Sequence, residues 1–137
     1  MLDPNNALAY FSLAQSSGIA QKYDAQLEYA QKGMRLDPNH PENYWLQVGS
    51  AYNCLGRFRE AADALKEAPP NEPWTHVFLI YTYTELGREQ DAKAEAAEVQ
   101  RLTPSLSLEL VKKKIPQLRD LPFGQRFIDD LSKAGLR

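Results

Sequence analysis

The tetrapeptide Leu2-Asp3-Pro4-Asn5 returns unchanged as Leu36-Asp37-Pro38-Asn39, 34 residues later. Leu102-Thr103-Pro104-Ser105 closes a further segment as a looser copy, and prolines at 4, 38, 73 and 104 stand 34, 35 and 31 residues apart. A segment of this size cannot bury its own apolar face, so neighbouring segments must stack and shelter one another. At 137 residues the chain has room for about three such units around one continuous core.

Each period carries two apolar stripes at helical spacing. In the middle unit Trp45, Val48, Gly49 and Tyr52 fall at i, i+3, i+4 and i+7. Gly56 follows as the residue best suited to a left-handed C-cap. Phe58, Ala61, Ala62 and Leu65 form the second stripe, and Pro69 and Pro70 stop it because proline cannot extend the hydrogen-bond ladder. The next unit repeats the plan with His76, Leu79, Ile80 and Tyr83, then Gly87, then Ala92, Ala96 and Val99. The first unit is looser, with Tyr10, Leu13 and Ala14 in one stripe and Tyr23, Leu27, Ala30 and Met34 in the other. Small residues at Gly49, Ala61 and Ala92 permit close helix approach, and no stretch shows the β-branched alternation of a strand, so the fold class is all-α.

Trp45, Val48, Gly49, Tyr52, Gly56, Phe58, Ala61, Leu65, Ala68 and Pro73 fill, in order, the signature places of the tetratricopeptide repeat family, which the chain resembles over roughly residues 5–105. The resemblance implies a right-handed α-solenoid of about three helix hairpins. Its units run over about 7–40, 42–72 and 73–104, with 1–5 as the end of a preceding repeat and 106–137 as capping helices. The third unit departs from the pattern at His76 and Ile80. The first departs further, with Gln21 at the turn-glycine place and Gln26 at the alanine place, so its hairpin angle stays open and Gly18 offers an early end to the first helix.

After Pro104 the apolar stripe continues as Leu108, Val111 and Ile115, then as Phe123, Phe127, Ile128 and Leu131 with Arg126, Asp129, Asp130 and Lys133 assigned outward. Gly135 and Leu136 fit a Schellman stop. The tail, Ser105 to Glu109 and Arg126 to Leu136, is similar to the C-termini of bacterial signalling proteins in which such repeats follow an adenylate/guanylate cyclase or winged-helix domain. That likeness, and a start inside a repeat, give the expectation of a C-terminal piece of a longer cytoplasmic regulator.

The residues argue for binding rather than chemistry. A net charge of −2 supplies no broad basic footprint for nucleic acid, and Lys112-Lys113-Lys114 reads as a solvated helix end. Cys54 is the only cysteine, which excludes an intrachain disulfide and makes a reducing compartment the default. No run approaches the ~20 apolar residues of a membrane span. His40 and His76 lie far apart in sequence and read as structural, no metal-ligand or nucleophile motif appears, and no cofactor or catalytic residue is expected.

What the resemblance implies for partners is a protein or peptide held on the concave face by places two, five, six, nine and twelve of each unit. In the first unit these select Leu8, Phe11 and Gln15. In the second they select Asn43, Leu46, Gln47, Ser50 and Asn53, and in the third Trp74, Val77, Phe78, Tyr81 and Thr84. Trp74, Val77 and Tyr81 share a helical face outside the core stripe and form candidate hot spots. Trp74 has a second place open to it, beneath the C-terminal helices or against Pro69 and Pro70. A clamp for a terminal carboxylate is disfavoured, since its places hold Phe11, Gln15, Gln47 and Phe78 instead of Lys, Asn and Arg. Two alternatives stand beside this reading. One is regulation in cis of a cyclase or winged-helix domain of the same parent protein. The other is homodimerisation through the face around Ala9, Tyr10 and Leu13.

Overall fold

The computed structural model describes residues 6–137, and every regular element among them is helical. The expected repeat end at 1–5 lies outside the described residues. Four helix-length segments precede Pro69: α1 (Ala7–Ile19), α2 (Tyr23–Leu36), α3 (Tyr44–Cys54) and α4 (Phe58–Lys66). Beyond it come α5 (Pro73–Glu85), α6 (Glu89–Leu102), α7 (Leu108–Lys114), a 3-10 turn (Pro116–Asp120) and α8 (Gly124–Lys133). None of the described helices is long and apolar enough to cross a membrane.

The helix starts follow from local chemistry. Asn6 caps α1 by accepting from the Ala9 N–H at 3.1 Å, and Glu72 caps α5 by accepting from the Trp74 N–H at 3.1 Å, with Pro73 in the first turn where its missing donor is harmless. Ser107 caps α7 through the Leu110 N–H at 3.2 Å.

One turn is built three times. Gly56 and Gly87 take φ of +75° and +78° and end α3 and α5 in Schellman motifs. The Arg57 N–H bonds Tyr52 O at 2.9 Å and the Arg88 N–H bonds Tyr83 O at 2.8 Å. Each arginine then lies over the ring of that same tyrosine and pairs with Glu60 or Asp91 one turn into the next helix. At the third site Gln21 adopts φ +61° and the Lys22 N–H bonds Ser17 O at 2.8 Å. Where glycine is missing, the same turn is therefore made by a glutamine that accepts the left-handed conformation. Gly18 does not end α1 early. It lies inside the helix and makes room for Gln26, whose side chain a Cβ at Gly18 would meet at 2.9 Å.

The chain divides into two compact units, Met1–Pro69 and Pro70–Arg137, so the division falls at the proline pair and the C-terminal helices share a unit with α5 and α6. In the first unit α1 packs along α2, α2 along α3 and α3 along α4. Ala14, Leu27, Ala30, Val48, Ala51 and Ala64 form its core. α3 and α4 approach so closely that a Cβ at Gly49 would stand 2.5 Å from Leu65 Cγ, which is why no larger residue serves there.

In the second unit α5 packs against α6 through Ala92, Ala96 and Val99, and α8 lies on α5. The stripe Phe127, Ile128 and Leu131 is buried. Gly124 starts α8 where a Cβ would fall 1.7 Å from Leu118 O. The chain ends in the expected Schellman stop, with Leu136 N–H bonding Leu131 O at 3.0 Å and Gly135 at φ +110°. One assignment is corrected. Asp130 does not point outward with Asp129 but is buried, because α8 turns that edge toward Glu85 at the end of α5.

Candidate interaction surfaces

The residues expected to meet a partner fall into two groups. In the first unit α1 and α3 present Leu8, Phe11 and Gln15 beside Asn43, Gln47 and Ser50. Gln15 and Asn43 are exposed, and Leu8 keeps 66% of its surface open. Phe11 stacks flat on Tyr44 at 4.2 Å between centroids, and His40 stacks with the same tyrosine at 5.5 Å, so Phe11 is the edge of an aromatic column. Gln47 accepts a 2.8 Å hydrogen bond from Gln26 Nε2 and is committed to joining α2 to α3. Asn53 is buried, not displayed, at 6% exposure. Tyr10, expected on a dimerising face, is likewise buried, with Lys32 over its ring.

In the second unit the expected groove face is covered. Val77 and Tyr81 are 0% and 2% exposed. Tyr81 stacks with Phe123 at 6.2 Å and meets Phe127 at 5.1 Å. Phe78 stands edge-on to Phe127, and Trp74 meets Phe78 at the margin of this cluster. Thr84 is half-buried and turns its hydroxyl back to Ile80 O at 2.8 Å. Tyr81 and Phe78, which look surplus to the α5–α6 core, are thus the seat of the chain's own C-terminal helix.

The titratable groups are arranged for packing. Burial raises the Cys54 thiol to about 11 against the opposing pull of its hydrogen bond with Tyr23, so it is a thiol at neutral pH and a poor nucleophile. Burial together with Cys54 raises the Tyr23 phenol to about 12. His76 directs Nδ1 to Glu95 at 2.5 Å and Nε2 to Pro70 O at 2.7 Å, tying α5 to α6 and to the segment before it. The two histidines stand on different elements with different partners. Among the described residues no group of three or more His, Cys, Asp or Glu side chains converges as metal ligands. Burial first, and then the Glu85 carboxylate, raise Asp130 to about 7, while Lys133 and Arg126 oppose the shift. Asp130 Oδ2 finds no hydrogen-bond partner among the described residues, and Arg126 reaches Glu85 at 3.1 Å.

A third surface escaped the sequence reading. α2 and α4 each pack on α3 and hardly on each other, leaving a furrow of about 600 Å³ floored by α3. Met34, Trp45, Val48, Tyr52 and Ala64 make its apolar lining. Trp45, Tyr52 and Met34 are only half-buried, because the facing residue on α4 is an alanine. Gln31 closes one end by donating to Tyr52 Oη at 3.2 Å. A signal was present in the sequence: the α3 stripe carries two large aromatics opposite a run of alanines, more bulk than α4 can cover.

With these surfaces described, comparison with known proteins adds no assignment: no protein-family model and no curated protein matches this chain.

Proposed function

We propose that this chain is a tetratricopeptide-type docking module that holds a segment of another protein, in the cytoplasmic signalling setting implied by the resemblance of its tail. The observation that carries the reading is the turn made three times over. The same left-handed Schellman connection recurs at Gln21, Gly56 and Gly87, with the same following N-cap carbonyl from Lys22, Arg57 and Arg88. A chain that reproduces one hairpin this faithfully, even where glycine is missing, maintains a scaffold whose product is a shaped surface.

Within that reading the first unit is the docking body. The corresponding face of α5 is already filled by Phe123 and Phe127, whereas α1, α3 and the α2–α4 furrow retain open aromatic and apolar surface.

The test is an array of peptides tiled from proteins of the source organism, probed with the intact chain. Bound peptides are then mapped by amide chemical-shift changes. Peptides whose footprint concentrates on residues of α1–α4 support docking. Absence of any saturable binder, or footprints with no common surface, rejects it.

A further inference from the structure

The furrow between α2 and α4 has walls made entirely of helix. Helices present no strand edge, so an extended peptide laid there would find no ladder to join. A helix satisfies its own backbone and brings only side chains to such a furrow, the mode in which an amphipathic helix lays its apolar face into a groove. The lining then specifies the helix. Trp45, Val48 and Tyr52 run along one face of α3 and, with Met34, offer adaptable apolar contact for large anchoring side chains.

The rims carry the charge. Glu60, Asp63 and Glu67 line up along α4. Glu60 is engaged by Arg57 in a two-pronged pair at 2.8 and 2.6 Å. Asp63 and Glu67, one turn apart and both exposed, have no ion-pair partner among the described residues. Arg35 stands alone on the opposite rim. The α4 side therefore presents two uncompensated carboxylates to whatever lies in the furrow.

We propose that this furrow is a docking site for a basic amphipathic helix of a partner protein, its apolar anchors on Trp45, Tyr52 and Met34 and its Lys/Arg flank along Asp63 and Glu67. The proposal rests on the docking-module reading and gives that reading a site and a partner chemistry. It differs from the α1/α3 face that the resemblance selects, since no residue is shared between the two.

The test is a selection from a displayed library of stable helices, randomised at the buried stripe and at one flank, against the intact chain. Counter-selection uses Ala64→Leu, which fills the furrow from its α4 wall. Enrichment of large apolar anchors with Lys or Arg on one flank, lost on the Ala64→Leu protein, is the expected result. One enriched peptide that lacks tryptophan is then titrated into the Trp74→Phe protein, where Trp45 is the sole tryptophan. Its emission should shift on binding, and the charge reversal Asp63→Lys with Glu67→Lys should weaken affinity about tenfold or more. Should Ala64→Leu lose its helical circular dichroism, the charge-reversal pair alone decides.

Enrichment of acidic or uncharged flanks overturns the proposal, as does binding indifferent to both variants. Self-association of the chain that Ala64→Leu abolishes also overturns it, because the occupant is then a second copy. Selected helices or tiled peptides that bind but footprint on α1 and α3 sink the furrow while leaving the docking module standing. Absence of any binder in both experiments sinks both.

Discussion

Gln21→Gly should make this protein more stable, although it removes a side chain and adds none. Gln21 holds φ +61° at the turn between α1 and α2, where the equivalent turns use Gly56 and Gly87. A side chain with a Cβ in the left-handed region costs about 1–2 kcal/mol. Glycine would relieve that cost but returns roughly 0.5–1 kcal/mol through the extra freedom of the unfolded chain. The net gain is about 1 kcal/mol, a rise of roughly 3–5 °C in midpoint for a domain of this size. Nothing else is lost, since Gln21 is exposed and its side chain makes no hydrogen bond among the described residues. The assay is urea denaturation of the intact chain followed by circular dichroism, with Gln21→Ala and Gly56→Ala alongside. Gln21→Ala should be near neutral, because it keeps the Cβ. Gly56→Ala should cost about 1–2 kcal/mol through backbone strain alone, as a Cβ there would meet nothing within 4 Å. If Gln21→Gly fails to stabilise while Gly56→Ala is harmless, the three turns are not energetically equivalent and the argument from their shared geometry falls.

Three further outcomes are expected. Gly18→Ala and Gln26→Ala should couple in a double-mutant cycle by about 1 kcal/mol, because in the wild type the helix-propensity gain of alanine is offset by displacing Gln26 from Gln47; strictly additive effects would refute the compensation. Gly49→Ala should destabilise by about 1–3 kcal/mol from overpacking against fully buried Leu65, and a neutral result would mean that α3 and α4 can part without cost. Asp130 is raised from the usual 3.8 to about 7, so between those values the folded chain holds a proton that the unfolded chain releases. This group's contribution is therefore greatest in acid and is lost as pH rises through 7. Asp130→Asn should flatten that slope in urea midpoints measured from about pH 5 to pH 8, and an unchanged slope would show that Asp130 does not carry it.

What could be read from the sequence was whatever depends on one helix or one turn. The stripes of α3, α5 and α6, the turn glycines and the final Schellman stop are each fixed within about two helical turns, and periodicity captures them. What was missed depends on two elements meeting. Gln21 looked like a defect because residue type was taken for conformation, whereas the left-handed turn is set by the two helices it joins. Gly18 looked like a stop because its partner Gln26 lies on the next helix. Asp130 sits at the border of the α8 stripe, and only the position of Glu85 on α5 decides that it goes under. The furrow is a lack of contact between α2 and α4, and its one mark in the sequence is the bulk of Trp45 and Tyr52 opposite the alanines of α4.

The covered face of α5 is the case in which two tertiary outcomes competed for one set of residues. Val77 and Tyr81 lie off the stripe that periodicity assigns to the α5–α6 core, yet both are buried, Tyr81 against Phe123 and Phe127. A helix in the same chain is present at an effective concentration no separate partner readily matches, and α8 is strongly amphipathic. Seating it buries Phe127, Ile128, Leu131 and Leu136, each at 8% exposure or less. At about 1.5–3 kcal/mol per side chain this is roughly 6–12 kcal/mol of gross apolar stabilisation, an upper bound before the entropy of ordering the tail. A partner that claimed the same face would have to replace most of that. The α5 aromatics therefore work as part of the fold rather than as a waiting site.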